Sequence, residues 1–219
     1  MLIVETFAIG PLKTNCYLYH NNTHAWIIDP GENSNFLTDL LFTKKLILKG
    51  ILLTHGHFDH ILGIKKLIKH YNDVEIMIHS LDADLIGEGG LKRLHSFLRQ
   101  VDPALLEIVK EVEDDFPHPT HLLEDKEMIK GCDLLVLHTP GHTPGGVCFY
   151  SKKENILFSG DTLFKGTVGR SDLPGGNMED LIDSIKRQLL FLPQGVIVYP
   201  GHGEKTTIGK ELAYNPYLR

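Results

Sequence analysis

The segment that most constrains this chain is THGHFDH, at residues 54–60, which directly follows the apolar stretch ILL. Neutral imidazoles and a carboxylate are the ligands that transition metals bind, and here four of them lie within six positions. His55 and His57 are two residues apart and can point the same way. Asp59 and His60 stand at the onset of a predicted helix, where they can lie beside that pair. The segment therefore predicts a metal site at the end of a strand.

Three other apolar stretches end in the same manner, in a turn that contains glycine and delivers one more ligand. LLVLH runs into a turn ending in His142, ILFS is followed by Gly-Asp161, and VIVY by Pro-Gly-His202. Loops at strand ends converge over a sheet, so we expect these side chains to meet the 54–60 segment. Seven ligands with one carboxylate able to bridge suit two cations about 3.5–4 Å apart.

The remaining pattern predicts a layered α/β protein, because strands and helices alternate early, hairpins follow, and a strand and helix come last. Short β-branched or aromatic runs predict nine strands, at 2–7, 15–20, 24–29, 47–53, 74–79, 133–139, 145–150, 155–159 and 195–199. A period of 3.6 residues predicts three helices, at 34–45 with Ser34 as a cap, at 60–71, and at 178–191 after Asn177 as a cap.

Residues 88–118 interrupt this strand-rich pattern with a helical insertion. One helix is predicted from Leu91 to Val101, a break at Asp102-Pro103, and a second helix to about Asp115. We interpret the insertion first as a surface hairpin with its own small apolar face, and second as a lid or lining of a substrate mouth. No linker composition separates it from the rest, so 1–219 is expected to be a single domain.

Composition excludes several classes of protein. The formal net charge of -6 argues against a nucleic-acid binder, which needs a basic face. A hydrophobic content of 42% excludes disorder. No apolar run reaches the ~18–20 residues of a membrane span, so no membrane partner is expected. Cys16, Cys132 and Cys148 are scattered and odd in number, which predicts buried free thiols and a cytoplasmic location.

The motifs also resemble those of a known family. THGHFDH, TPGH, SGDTLF and YPGH are similar to the successive metal motifs of the metallo-β-lactamase fold. Longer strings resemble the short, single-domain glyoxalase II-like (hydroxyacylglutathione hydrolase-like) hydrolases: IDPG at 28–31, PGHTPGG at 140–146, GDTLFKGTVGRSDLPGG at 160–176 and GHGEKTTIGKELAYNPYL at 201–218. The resemblance extends from about residue 3 to residue 218, except for the 88–118 insertion.

This resemblance implies a fold and a ligand set. The fold would be an αββα sandwich of two mixed β-sheets flanked by helices. The first metal would be held by His55, His57 and His142, the second by Asp59, His60 and His202, with Asp161 bridging. The cofactors would be two divalent ions, zinc foremost, although iron and manganese accept the same ligands. Asp29 would support the site from behind, and His138 is expected to bind no metal.

The resemblance also implies a reaction. A metal-bridging hydroxide would attack a thioester, with Asp59 as the catalytic residue that orients it. The expected substrate is an S-(2-hydroxyacyl)glutathione such as S-lactoylglutathione. Lys165 would contact a carboxylate of the glutathione or remain a solvated surface side chain. Arg170 would contact the substrate or pair with Asp172 and shape the loop.

Two departures leave the substrate open. Two-domain glyoxalase II enzymes continue into a C-terminal helical domain that grips glutathione, whereas this chain stops at Arg219. We therefore expect that glutathione binding is weaker, that residues 88–118 supply it, or that it is not the true task of the protein. The alternative function is a mononuclear iron persulfide dioxygenase that oxidises glutathione persulfide, with His55, His142 and Asp161 as the iron ligands. The pattern predicts no oligomeric state.

Overall fold

The strands form two six-stranded sheets and one small ribbon in a computed structural model that describes residues 2–71, 73–110, 112 and 114–219. The first sheet contains β1 (Ile3–Ile9), β2 (Thr14–His20), β3 (His24–Ile28), β4 (Ile47–Leu52), β5 (Glu75–His79) and β6 (His121–Leu123), in that order. Pairing is antiparallel from β1 to β3 and parallel from β3 to β6, so this sheet is mixed.

The second sheet is also mixed, and its order departs from the order along the chain. It is built from β7 (Met128–Ile129), β8 (Leu134–His138), β9 (Val147–Ser151), β10 (Ile156–Gly160), β13 (Ile197–Pro200) and β14 (Thr206–Thr207). Neighbouring strands pair antiparallel except β10 and β13, which run parallel. The ribbon consists of β11 (Leu163–Phe164) and β12 (Thr167–Val168).

The helices cover the outer faces of the two sheets. They are α1 (Phe36–Lys44), α2 (Phe58–Ile61), α3 (Ile64–His70), α4 (Gly90–Val101), α5 (Leu106–Val109), α6 (Met178–Ser184) and α7 (Ile208–Tyr214). Alternation along β2 shows the layering, because successive side chains of a strand face opposite sides. Cys16 and Leu18 pack in the cluster that holds α1 and α3, while Tyr17 and Tyr19 pack between the sheets. The predicted αββα sandwich is confirmed.

The nine predicted strands all form, with ends within two residues of the predicted ones. Five strands of two or three residues were not predicted, namely β6, β7, β11, β12 and β14. Segments this short contain too few positions to show an alternation, so only their pairing partners define them.

The predicted helix at 60–71 is wrong as a single helix, because the chain breaks between α2 and α3. The Gly63 N–H donates to the Pro30 carbonyl oxygen at 2.6 Å. A Cβ at Gly63 would lie 2.8 Å from that same oxygen, so the backbone of the 30–32 turn presses against the break.

The other two predicted helices are confirmed with adjusted ends. α1 begins at Phe36, whose N–H donates to Ser34 Oγ at 3.2 Å, although the cap position itself is Asn35. The Asn177 side chain caps α6 by accepting from Glu179 N at 2.9 Å. The predicted 178–191 helix changes after Ser184 into a π-helical turn, at Ile185–Leu189.

The helical insertion is confirmed in its first half and wrong in its second. α4 ends at Val101, and the Asp102 side chain accepts from Ala104 N at 2.9 Å to start a short 3₁₀ turn. α5 ends at Val109 and does not reach Asp115. The Asp115 carboxylate instead accepts the N–H groups of Gly89 (2.7 Å) and Leu91 (3.0 Å), which brings the chain back to the start of α4.

The three cysteines are free and buried, as predicted. Burial raises the pKa of the Cys132 thiol to about 12 and that of Cys148 to about 11, so these thiols stay protonated and act as small apolar side chains. In the described ranges, none of the helices has the length and apolar character needed to cross a membrane.

Candidate metal centre

Four loops converge at one edge of the sandwich, where β4, β8, β10 and β13 end. β10 and β13 are parallel neighbours, so their carboxyl ends lie side by side, and Gly201 N donates to Gly160 O at 2.7 Å. A Cβ at Gly201 would lie 2.1 Å from Asp161 Oδ1 and 2.9 Å from His60 Cε1. Only glycine therefore allows the loop after β13 to approach the other loops this closely.

The first group of side chains at this edge is His55, His57 and His142. His57 Nδ1 lies 3.0 Å from His55 Nε2 and 2.9 Å from His142 Nε2, so three imidazole nitrogens face a common point. All three could serve as ligands of one metal ion. His55 and His142 are buried and His57 is half-buried, which holds the three rings in place.

The second group, Asp59, His60 and His202, lies next to the first. Asp59 Oδ2 is 3.2 Å from His202 Nε2 and 3.4 Å from His60 Nε2. Thr14 Oγ1 donates to the same carboxylate oxygen at 2.7 Å and fixes its orientation. These three side chains could likewise hold one metal ion.

Asp161 lies between the two groups. Its Oδ1 is 3.5 Å from His60 Nε2, and its Oδ2 is 3.5 Å from His142 Nε2 and 3.7 Å from His202 Nε2. One carboxylate thus faces a histidine of the first group and two of the second. The seven side chains singled out in the sequence meet in one place, although they come from four loops far apart in the chain.

Two buried atoms show that these residues fit a cation. His60 Nε2 and Asp161 Oδ1 have no hydrogen-bond partner in the described part of the protein. Leaving a buried polar atom unpaired costs free energy comparable to a lost hydrogen bond. A metal ion between the two groups would satisfy both atoms, and His and Asp clusters of this kind are consistent with two metal ions.

The electrostatics favour the same interpretation. Burial and the neighbouring imidazoles lower the pKa of His55 and His57, so they are neutral, as metal binding requires. Burial opposes a charge on His60, but the carboxylates of Asp59, Asp161 and Asp29 raise the pKa of His60 to about 10. Burial likewise opposes ionisation of Asp59, yet His60, with His202 and Thr14, lowers the pKa of Asp59. The three carboxylates around His60 therefore concentrate negative charge where it can attract a cation, and His60 would release its proton on binding one.

Groups behind the ligands fix their orientation. Asp29 accepts from Thr54 N (2.8 Å) and Thr54 Oγ1 (2.7 Å), and its Oδ2 lies 2.9 Å from His60 Nδ1. His142 Nδ1 donates to the Arg170 carbonyl oxygen at 2.6 Å. Each contact occupies one ring nitrogen and leaves the other facing the site, which is how outer contacts orient metal-binding histidines. Asp29 thus lies behind the site as expected.

His138 lies outside the cluster. Its Nε2 is 3.0 Å from the Pro144 carbonyl oxygen, and its ring stacks on His79 with centroids 4.1 Å apart.

Asp82 is a functional candidate that sequence reasoning missed. It is fully buried, and its carboxylate accepts from Gly56 N at 3.0 Å and from Gly145 N at 2.6 Å. Gly56 lies between His55 and His57, and Gly145 follows closely after His142, so one carboxylate ties together the loops of the first group. Asp82 stands in a 3₁₀ turn after β5 with no motif around it. Only its contacts reveal this role.

Asp82→Asn is expected to weaken metal binding about 10- to 100-fold, because an amide can accept from only one of the two N–H groups without opposing the other. The measurement is a competition titration against a chelating dye. Asp39→Asn, an exposed change in the first turn of α1, is the matched control and should bind metal as the wild type does. If Asp82→Asn binds metal as tightly as Asp39→Asn does, Asp82 does not position the loops.

The two side chains predicted to contact substrate both pair with carboxylates. Lys165 Nζ binds Glu204 in an exposed ion pair. Arg170 donates from Nε and Nη2 to the two oxygens of Asp172, at 2.7 and 2.8 Å, which is the loop-shaping alternative considered for it. Surface ion pairs contribute little to stability, so these contacts mainly orient the Lys165 and Arg170 side chains.

A cavity of ≈ 330 Å³, here called the mouth cavity, opens over the site. Its lining includes five of the candidate ligands, His57, Asp59, His142, Asp161 and His202. Its apolar walls come mainly from Leu12, Phe97, Val101, Leu105, Phe164 and Leu173. Three of these belong to the helical insertion, which therefore lines the mouth of the site and is more than a surface hairpin.

Comparison with known proteins agrees with this geometry. The family model of the metallo-β-lactamase superfamily matches residues 9–202. The chain is 35% identical to a Bacillus subtilis protein described as "Probable metallo-hydrolase YqgX", covering 96% of this chain and 94% of that one. It is 34% identical to the hydroxyacylglutathione hydrolase GloC of Haemophilus influenzae, covering 98% and 97%. The crystal structure of TTHA1623 in a di-iron-bound form is similar with a TM-score of 0.76 and 37% identity, covering 98% and 100%.

Proposed function

The chain belongs to the metallo-β-lactamase superfamily, and from this we propose that it is a metallo-hydrolase of thioesters, with S-(2-hydroxyacyl)glutathione such as S-lactoylglutathione as substrate. The observation that carries the proposal is that seven His and Asp side chains meet in one place, and that two of their buried atoms, His60 Nε2 and Asp161 Oδ1, have no hydrogen-bond partner among the described residues. The similarity to GloC over nearly the whole chain supports the choice of a thioester.

The proposed ligand assignment follows the geometry of the groups. His55, His57 and His142 would hold one ion, Asp59, His60 and His202 the other, and Asp161 would contact both. Two divalent ions there would lower the pKa of bound water toward about 7 and polarise a carbonyl oxygen. Zinc, iron and manganese all accept this set of ligands, and the relative TTHA1623 was crystallised with two irons.

Asp59 would act on the attacking water. Its Oδ2 accepts from Thr14 Oγ1 and faces His60 and His202, which leaves Oδ1 to accept a hydrogen bond from the water. The lowered pKa of Asp59 keeps the carboxylate ionised for this purpose. After losing one proton to solvent, the water oxygen would bond to the thioester carbonyl carbon. The carbon–sulfur bond would then break with its electron pair on the sulfur, and the carboxylic acid formed would release its remaining proton to solvent. A thiol of pKa about 8.5 leaves readily as thiolate, so the reaction needs no strong general acid.

The direct test follows the ultraviolet absorbance of the thioester after S-lactoylglutathione is added to the purified, metal-loaded protein. We expect the absorbance to fall and free thiol to appear in equal amount. The same preparation is then given glutathione persulfide in an oxygen electrode. Oxygen consumption without thioester cleavage, together with one iron per chain in elemental analysis, would contradict the proposed hydrolase function and support the persulfide dioxygenase instead.

A further inference from the structure

A second cavity, here called the side cavity, adjoins the mouth cavity and has a volume of ≈ 240 Å³. The two cavities share His57, Phe58 and Phe97. The Phe97 ring stacks on the His57 imidazole, with centroids 5.4 Å apart and planes at 25°. Phe97 is therefore a wall common to both cavities, and the side cavity begins directly beside the first group of ligands.

The side cavity has an apolar lining. Phe58, Ile61 and Leu94 are buried at its base, and Leu81, Pro144 and Pro174 are exposed at its rim. Such a surface binds uncharged, apolar groups, because each one that enters removes apolar area from water.

The charged groups of the side cavity do not alter this conclusion. Arg93, on α4, already donates to the backbone carbonyl oxygens of Asp84 and Glu88 and holds the turn that precedes the helix. Asp84 lies exposed at the surface, and the Asp82 carboxylate accepts from two backbone amides. The side cavity is therefore poorly suited to a charged ligand group.

The two arms of a thioester differ in a way that matches the two cavities. The glutathione arm carries charged groups, and burying these without partners costs several kcal/mol. We therefore place it in the mouth cavity, whose lining includes the exposed Arg170 side chain. The acyl arm has no such requirement. The side cavity borders Gly56, His57 and Thr143, next to the histidines that would hold the first ion. An acyl chain attached to a carbonyl in the mouth cavity would enter it past Phe97, the wall that the two cavities share.

We propose that the side cavity binds the apolar acyl chain of the thioester, and that the protein prefers acyl groups longer than lactoyl. The inference rests on the proposed function, because it takes the thioester carbonyl to lie over the metal ligands in the mouth cavity. A lactoyl group is too short to fill the side cavity, whereas a chain with several methylenes would place them against its apolar lining.

The test compares S-acetyl-, S-butanoyl- and S-hexanoylglutathione, which differ only in the acyl arm. We expect kcat/KM to rise about fourfold for each methylene that enters the side cavity. Leu81→Trp, at the exposed rim, should flatten the series, so that kcat/KM no longer rises from the acetyl to the hexanoyl substrate. Phe97→Ala should weaken the rise by removing the shared wall. Leu122→Trp replaces an exposed leucine of β6 that lines neither cavity and should keep the full rise.

A flat or falling series in the wild type would overturn the inference, as would a rise that Leu81→Trp leaves intact. Thermal melting of each variant confirms that it is folded. A second measurement separates the inference from the proposed function. Calorimetric titration of the metal-loaded protein with hexanoate and acetate should show tighter binding of hexanoate, and Leu81→Trp should remove the difference. If no thioester is cleaved, the proposed function fails and this titration alone decides whether the side cavity binds apolar chains.

Discussion

Asp161→Asn is expected to lower kcat/KM for thioester hydrolysis by about a thousandfold or more, since bound metal supplies several kcal/mol to the transition state. Asp161 is the carboxylate that faces both ligand groups, with Oδ1 toward His60 and Oδ2 toward His142 and His202. The amide has nearly the same shape but no negative charge, so it cannot hold two cations close together. Steady-state kinetics and elemental analysis of the same preparation measure both effects.

The control for this variant is Asp133→Asn. Asp133 lies exposed in the turn before β8 with a φ of 56°, a conformation that asparagine also adopts. This variant should retain its metal and its activity. If Asp161→Asn keeps both as well, Asp161 is not a shared ligand, and the assignment of two ions to the seven side chains fails.

Removal of metal by a chelator is expected to abolish hydrolysis and to lower the free energy of unfolding. A ligand that binds only the folded state stabilises it by about 4 kcal/mol at a thousand times its Kd, so a comparable loss is expected on stripping. The physical source is the charge at the site, because the carboxylates of Asp29, Asp59 and Asp161 surround His60 in a buried environment. Urea denaturation before and after stripping measures this loss, and adding back zinc, iron or manganese singly should restore activity.

Asp161→Asn provides the comparison for this experiment. Removing metal should lower the free energy of unfolding of this variant much less than that of the wild type, because its site has lost the shared ligand. Hydrolysis that persists in a preparation shown by elemental analysis to be free of metal would contradict the proposed chemistry, whatever the change in stability.

The ligand residues could be found from the sequence because each follows an apolar run in a glycine-containing turn. That arrangement is local, because the apolar strand and the ligand at its end are adjacent in the sequence. The nine longer strands were found for the same reason, since a short run rich in β-branched or aromatic residues is visible without knowledge of the partner strand. The cap at Asn177 is equally local, because its side chain bonds the N–H groups two and three residues on.

Other features depend on residues distant in the chain, and the sequence alone did not indicate them. The break at Gly63 is due to the backbone of residues 30–32, and the early end of α5 accompanies the bonds from Gly89 and Leu91 to Asp115. Asp82 has no neighbouring motif, yet it joins two ligand loops through Gly56 and Gly145. Each of these features involves a contact made only after the layers have packed.

The sequence by itself determined which side chains can bind metal. The metal affinity of imidazole and carboxylate is a property of the residue, and each ligand's distance from the preceding strand can be read along the chain. The tertiary structure decided how far Asp161 lies from each group and which of the two interpretations of the helical insertion holds, since the insertion lines the mouth cavity. The physical reason is that orientation and cavity shape arise from packing across the two sheets, and packing joins residues that no local pattern connects.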